Sequence, residues 1–529
     1  MLKKGNKMNQ TAIMILGAGI MQLPAFEAAK KNNWYTIAAD GNPEAPCRSR
    51  ADQFLNIDLK DRVGLVEAAE ELMTTRNIQG VFTCGTDFSA SVAWIAEKLN
   101  LPGIPYQTAL DCTDKYRMRM KFKEQNIPIP AFCELSAELD PHKETKHLLY
   151  PLVVKPVDNM GGRGVITVDT PENLEKALSE AIKFSRTNRA IVEEFMDGPE
   201  FSIDSLVVDG ELVICGFADR HIYYPPCFIE MGHTLPSNIE KSEEEEIYRV
   251  FKNAVKALNI TTGAAKGDIK LTSRGVMIGE IAARLSGGYM SGWTFPYASG
   301  VSLVEEGMRL SMGLKPVNLK ATESNTSSER AFISIPGRIQ DIHYLEEAHA
   351  LDYVKDIFLI SDKGDRVQFP LNNVMKCGNV IAVGPDRASA VNASAKAVSM
   401  IRISLESGDA ETQEFLSMPL ETQFPPSAYL RESWKELENL KAFKPDFSMQ
   451  YKESPIPVPQ KAQGLDFLSQ KDWNCLSLEE ALEEIIKTKN LTKTSEPLWT
   501  LYALHFWYAF IRGGIQGGLW YINQNNEVH

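Results

Sequence analysis

The sequence predicts a multidomain fold of mixed class: an α/β N-terminal part, α+β parts after it, and a helical tail. Three observations carry that expectation. The 529 residues exceed one core at about 100–200 residues per domain. In the first hundred residues, short apolar runs alternate with helical stretches, the pattern of a parallel sheet with helices on its faces. From about residue 111 the texture changes to strands joined by short turns, read as mostly antiparallel. A composition of 44% hydrophobic and 24% charged residues is ordinary for a soluble globular protein. Lys plus Arg total 56 against 69 Asp plus Glu, a net charge of -13, which excludes nucleic acid as a main partner because phosphate backbones need a basic surface.

Each element follows in order. Ala12–Leu16 reads as a buried strand ending at Gly17-Ala18-Gly19, followed by a helix over Pro24–Lys30 and a second strand, Tyr35–Ala39, closed by Asp40. Val81–Cys84 is a further strand, ending at Gly85-Thr86-Asp87, with a helix over Ser89–Leu99. Leu101–Tyr106 carries two prolines and a glycine and reads as a linker, giving a first domain over residues 1–110. A second, 111–315, holds a basic helix (Lys115–Gln125), strands at Tyr150–Lys155, Ala190–Glu194, Phe201–Val208 and Glu211–Phe217, and a helix over Glu243–Leu258. Two hairpin strands, Lys266–Leu271 and Val276–Arg284, complete it. Asn318–Glu329 is polar enough to be a linker, and 330–445 forms a small α+β domain. Residues 446–529 are an extension whose aromatic stretch, Trp499–Phe510, reads as a buried helix. The eight cysteines form no Cys-x-x-Cys pair, which disfavours a zinc site and fits a reducing, cytoplasmic setting. Met1–Gln10 shows no leader-like apolar stretch, and the apolar run Leu498–Ile511 is shorter than the ~20 residues of a membrane span.

Five motifs carry chemistry. Gly17-Ala18-Gly19 with Asp40 is similar to a dinucleotide fingerprint, but Gln22 stands where the third glycine belongs, so the turn is read as lacking a nicotinamide cofactor. Lys155-Pro156 followed by Gly161-Gly162-Arg163-Gly164 supplies a compact cation and a loop whose N–H groups approach phosphate oxygens. Lys115 is a second basic candidate for the same phosphates. In Glu193-Glu194-Phe195-Met196 a strand runs out into groups suited to an adenine, apolar against the ring and backbone on its polar edge. Glu200 is placed for ribose hydroxyls. Glu230-Met231-Gly232-His233 lacks a second histidine and reads as a site loop.

The sharpest clue is Asp268 and Glu280. With Ser273-Arg274-Gly275 as the turn, Arg274 is the midpoint and the two carboxylates face each other across the hairpin. Like charges directly opposite are destabilising, and one carboxylate protonates unless a cation intervenes. Oxygen donors without histidine or cysteine favour Mg²⁺ or Mn²⁺. Glu280, Ala282 and Arg284 share a strand face, which aims Arg284 at a phosphate or carboxylate. The plainer reading makes Arg284 only the neutraliser of Glu280.

Taken in order, these motifs resemble the ATP-grasp superfamily of carboxylate–amine ligases over roughly residues 11–410, and most closely the L-amino acid ligase branch and its biotin-carboxylase-like relatives. Ile335-Pro336-Gly337-Arg338 onward is similar to that branch's C-terminal domain. The resemblance implies a Rossmann-like N-terminal domain, a two-lobed ATP-grasp central domain and a small C-terminal domain. It implies that Lys115, Lys155 and the Gly161, Gly162, Gly164 loop bind ATP phosphates, and that Glu193, Glu194, Phe195, Met196 and Glu200 bind the nucleoside. Asp268 and Glu280 would hold magnesium or manganese, Glu230, His233 and Arg284 would meet substrate, and Arg284 and Lys155 would act in catalysis. The implied reaction activates a carboxylate as an acyl phosphate and joins it to an amine, two amino acids being one candidate pair. Ala282 departs from the usual Glu-x-Asn-x-Arg motif, as it does in carboxyaminoimidazole ribonucleotide synthetases, and leaves fewer metal ligands. Residues 445–529 have no counterpart in the resemblance. Rival readings are a carboxylating or nucleotide-precursor ligase, a non-catalytic ATP-binding scaffold and a nicotinamide dehydrogenase. Small-molecule carboxylates and amines are the expected partners, and a homodimer is left open.

Overall fold

A computed structural model describes residues 10–420, 422–429, 469–488 and 496–526. The chain divides into two units. The first comprises the described residues through His221, with His233–Ser328 and Val383–Arg387; the second comprises Ile222–Gly232, Glu329–Ala382 and the described residues from Ala388 onward.

In the first unit, four parallel strands lie in the order Gln53–Leu55, Tyr35–Ala39, Thr11–Leu16, Asn77–Phe82. Their near-continuous apolar runs are what a sheet covered on both faces requires. Gln22 is fully buried. Its amide donates to the Cys84 carbonyl and accepts from the Cys84 N–H at 3.1 Å. Asp40 accepts from the N–H groups of Ala18 and Asn42, both at 2.8 Å. The side chains that make the first turn look like a cofactor motif are thus engaged with their own backbone.

Two antiparallel sheets follow. One runs in the order Phe132–Ser136, Arg189–Glu194, Leu152–Pro156, Ile166–Val168, with helix Leu174–Phe184 packed on it through Leu174, Ala177, Leu178 and Ala181. The other places Gly275–Ala282, Gly263–Thr272, Glu200–Val208 and Glu211–Tyr223 side by side. Helix Lys241–Ala257 covers it through Ile247, Val250, Phe251 and Ala254. Charged residues recur on the helix's other face, the stripe pattern of an amphipathic helix.

The second unit contains strand Val354–Leu359, most of strands Thr326–Phe332 and Gly378–Gly384, and a three-stranded sheet of Arg366–Val367, Gly337–His343 and Arg402–Leu405. Thr326–Glu329, read from sequence as linker, is strand. Its polarity misleads because the polar side chains are buried in the strand, where Glu329 accepts from Asn379. The described parts of 446–529 enter this unit's core. Trp473, Leu478, Leu482, Phe506, Phe510 and Ile515 are buried in one cluster with Ile333, Ile335 and Val380. Asn474 accepts from the Ile333 N–H at 3.0 Å and donates to the Ile333 carbonyl at 2.9 Å, closing a two-way amide pair with the strand region. Gln516 donates to Ser334 Oγ at 2.9 Å and to the Ile403 carbonyl at 3.0 Å. Helix Glu496–Asn526 breaks at Gly514, whose φ of 60° suits glycine. Within the described residues, Phe506, Trp507 and Phe510 are buried as the aromatic pattern suggests; the side chains from Trp499 to His505 lie outside the described ones. No helix among the described residues is long and apolar enough to cross a membrane.

Candidate functional site

Hairpin geometry decides which carboxylates meet. Thr272 pairs with Gly275, so the turn is the two residues Ser273 and Arg274, tighter than the three-residue turn read from sequence. That register alone would set Asp268 opposite Gly279. A bulge between Asp268 and Ile269 slips the pairing by one residue and brings Glu280 opposite Asp268. The expected pair forms, but through the bulge. Gly279 is the extra residue, and a Cβ there would lie 3.0 Å from the Asp268 carbonyl.

The repulsion between the two acids is relieved by this chain's own cations, so the pair does not by itself demand a divalent ion. Asp268 contacts Lys266, two residues back on the same strand face, and Arg220 Nη1 at 2.8 Å. Glu280 has Lys115 Nζ at 3.5 Å. Burial alone would raise the Glu280 carboxyl, but Lys115, Lys266, Lys155 and Arg284 outweigh it and bring it down to about 2. Among the described residues no group of three or more His, Cys, Asp or Glu gathers as a metal site.

Lys155 stands on strand Leu152–Pro156, and Glu193 on the neighbouring strand. Their side chains meet at 2.6 Å, and Arg119 Nε reaches the other Glu193 oxygen, also at 2.6 Å. Burial and the charges of Arg119 and Lys115 hold the Lys155 ammonium below its ordinary value, against the pull of Glu193. Burial would raise Glu193, but its two cations keep its carboxyl low. Glu193, read as an adenine contact, is a buried strut between cations.

Lys115 opens helix Lys115–Glu124, capped by Asp114, and its Nζ donates to the Asn159 carbonyl at 2.7 Å, where the glycine loop begins. That loop joins strands Leu152–Pro156 and Ile166–Val168. Gly161, Gly162 and Gly164 all have positive φ (71°, 75°, 68°), and a Cβ on Gly164 would meet Phe184 at 2.9 Å. The glycines are needed for the backbone's path.

Along the strand end, the Glu194 carboxylate takes Arg274 at 2.8 Å, and its N–H is bonded to the Ala131 carbonyl. Lys270 donates to the Met196 carbonyl at 2.9 Å and lies over the Phe195 ring at 5.3 Å. Arg220 ties Glu200 at 2.6 Å, and so bridges Glu200 to Asp268. Basic groups, a glycine loop, an apolar strand end and opposed carboxylates thus gather within one unit.

Comparison with known proteins gives this arrangement its name. Residues 148–292 match the ATP-grasp domain, and residues 331–406 match the L-amino acid ligase C-terminal domain 2. The chain carries an ATP-grasp domain. It is 27% identical over 278 residues to the L-arginine-specific L-amino acid ligase of Bacillus subtilis, covering 50% of this chain and 66% of that one. It is 23% identical over 346 residues to carnosine synthase 1 of Mus musculus, covering 60% of this chain and 42% of that one. The crystal structure of an L-amino acid ligase from Bacillus licheniformis shares the fold, with a TM-score of 0.65 at 22% identity, over 76% of this chain and 100% of that chain. The two matched stretches follow one another along the chain, the ATP-grasp domain first and the L-amino acid ligase C-terminal domain 2 after it.

Within the ATP-grasp domain, Arg284 lies just beyond strand Gly275–Ala282, so the strand-face rule that aimed it no longer applies at its position. Its Nη1 donates to the Leu285 carbonyl at 3.0 Å, while its buried Nε has no partner among the described residues. Glu230 and His233, read as a loop, sit on strand Ile229–Leu235. Gly232 is a close approach: a Cβ there would lie 2.2 Å from the Glu329 carbonyl. His233 is 2% exposed and its Nε2 is 2.7 Å from Thr294 Oγ1, so it is buried rather than presented to a substrate. Glu230 falls in the second unit, where its backbone meets Asn373 and Lys376.

Sequence reasoning missed Arg119, Lys266, Arg220, Lys270 and Asp87. Lys266 and Lys270 flank Asp268 at a spacing of two, and Arg119 follows Lys115 by four, so periodicity alone carried a signal for three of them. Asp87 closes the Asn77–Phe82 strand region; burial raises its carboxyl, with Arg284 and Lys115 opposing. Nothing local to its sequence points there.

Proposed function

We propose that this protein uses ATP to activate a substrate carboxylate as an acyl phosphate and joins it to an amine, with amino acids as the substrate class. Lys115 Nζ at 3.5 Å from the Glu280 carboxylate, with the charges of Lys266, Lys155 and Arg284 also acting on it, carries the reading. So dense a set of cations around a carboxylate kept ionised is suited to a polyanion and its counter-ion.

The donor set fits magnesium. Two opposed carboxylates, with Ala282 where a third ligand would stand, make a sparse protein shell. Mg²⁺ is commonly held by one or two carboxylates together with substrate phosphate oxygens. Asp268 and Glu280 would hold it, and when bound it neutralises charge on the transferring phosphoryl oxygens. Lys155 and Lys115 take the phosphates, with the Gly161–Gly164 backbone closing over them. The strand end Glu194–Met196 and Glu200 receive the nucleoside.

Phosphoryl transfer breaks the bond between the γ-phosphorus and the β,γ-bridging oxygen and forms one to the substrate carboxylate, releasing ADP. Arg284 offers its guanidinium to the carboxylate, and then to the oxyanion formed when the amine attacks the acyl carbon. Phosphate leaves with the C–O bond electrons, and the amine's proton passes to solvent or phosphate. A closed glycine loop excludes the water that would hydrolyse the acyl phosphate.

Phosphate release from Mg-ATP, screened over pairs of amino acids, tests this. Release that requires both a carboxylate and an amine supports it. Stimulation by bicarbonate alone would point to a carboxylating ligase, and tight ATP binding without ADP formation over the whole panel would point to a scaffold.

A further inference from the structure

Arg119 is among the largest fully buried side chains of the protein, at 1% exposure. It lies one helical turn beyond Lys115 on Lys115–Glu124, and its guanidinium holds two sheets at once. Nε reaches Glu193 Oε1 at 2.6 Å, and the second oxygen of Glu193 holds Lys155 Nζ at 2.6 Å. Nη2 donates at 2.7 Å to the carbonyl of Gly279, the bulge residue that sets Glu280 opposite Asp268. One side chain thus touches the carboxylate that holds the phosphate lysine and the backbone kink that orders the acidic pair.

Burying a guanidinium this way gives little net stability, because desolvation offsets most of the attraction. The arrangement is better suited to holding geometry. A lysine is a flexible point charge on a four-carbon stem, and Glu193, itself fixed by the planar fork of Arg119, restricts where Lys155 can place its ammonium. We propose that Arg119 is a positioning residue for nucleotide binding, acting on Lys155 through Glu193 and on the Asp268–Glu280 pair through Gly279. This role rests on the ATP-dependent reading above.

Titration calorimetry with Mg-ATP and steady-state kinetics on Arg119→Gln, Arg119→Lys, Glu193→Gln and the Arg119→Gln/Glu193→Gln pair test it. A displacement of about 1 Å at a reacting group can cost on the order of 10²-fold, so Arg119→Gln should weaken ATP binding and lower kcat/KM for ATP by about that factor. The KM for the amine should stay near wild type. Arg119→Lys keeps a cation for Glu193 and should recover part of the ATP affinity. The double variant should bind ATP no worse than the weaker single variant, since both changes cut one chain of contacts.

Wild-type ATP affinity in Arg119→Gln, or losses that add in the double variant, would overturn the role, as would an amine KM that rises in step with that for ATP. If Arg119→Gln does not fold, Arg119→Lys and Glu193→Gln carry the same comparison. Absence of ATP binding by the wild-type protein would instead overturn the proposed function, whereas unchanged binding in the variants alone would remove only Arg119's part.

Discussion

Asp472, in the extension beyond residue 446, offers a quantitative test of how that segment joins the second unit. It is 8% exposed, and its Oδ1 accepts from the N–H groups of Asn474 and Leu476 at 2.9 and 3.0 Å. Burial pushes its carboxyl from 3.8 up to about 6; those two bonds and Arg402 oppose the rise, and Glu480 adds to it. The folded state therefore binds this proton more tightly than the unfolded chain. Stability gains as pH falls from about 7 toward about 4, the reverse of an ordinary salt-bridged aspartate. A rise of roughly two pK units corresponds to a cost of about 3 kcal/mol at pH 8, which shrinks to about 1.6 kcal/mol at pH 5. Asp472→Asn keeps the acceptor oxygen and removes the charge, so it should stabilise this unit by up to about 3 kcal/mol at pH 8 and by roughly half that at pH 5. Guanidinium unfolding followed by tryptophan fluorescence reads this directly, because Trp473, Trp507 and Trp520 are all buried in the unit. Comparing variant with wild type cancels the other titrating groups. A stability difference that stays constant between pH 5 and pH 8, or an Asn variant less stable than wild type at pH 8, would refute the reasoning.

The remaining expectations concern the site and the first sheet. Lys155→Ala should remove most ATP affinity measured by calorimetry, and wild-type binding in that variant would reassign the phosphate lysine. Glu280→Gln should abolish the magnesium dependence of turnover while circular dichroism stays native. Because Glu280 titrates only at about 2, its favourable charge contribution is present above pH 4.5 and is lost only as pH falls toward 2, so it should leave no inflection in a rate profile between pH 5 and pH 8. Gln22→Ala would strand the buried N–H and carbonyl of Cys84 and should lower stability by about 2–4 kcal/mol in a denaturant titration, at one to two per unpaired group.

Local patterns were legible wherever neighbours in sequence decide the structure. Tyr35–Ala39 is a strand with the bounds its apolar run suggests, and the basic helix begins at Lys115 behind its aspartate cap. The facing of Asp268 and Glu280 followed from turn symmetry, though the route through a tighter turn and a bulge did not, because a bulge depends on which backbone groups the neighbouring elements engage. Strand Ile229–Leu235 escaped notice because its polar motif read as a loop, and the nearby Glu329 carbonyl explains the glycine inside it. His233 drew a functional reading from the resemblance, yet Thr294, sixty-one residues away, claims its ring.

Taken by itself, the order of residues determined the class of the fold and the run of phosphate-suited lysines and glycines, because each is written in periodicity, turn chemistry or charge over a few positions. Tertiary structure alone decided that Glu193 braces Lys155 instead of facing a base, that Lys266 and Arg220 quench Asp268, and that Asn474 and Gln516 bind the distant extension to Ile333–Ile335. Burial and charge pairing act between groups brought together through space, and the partners of a buried carboxylate or amide are chosen by packing across scores of intervening residues.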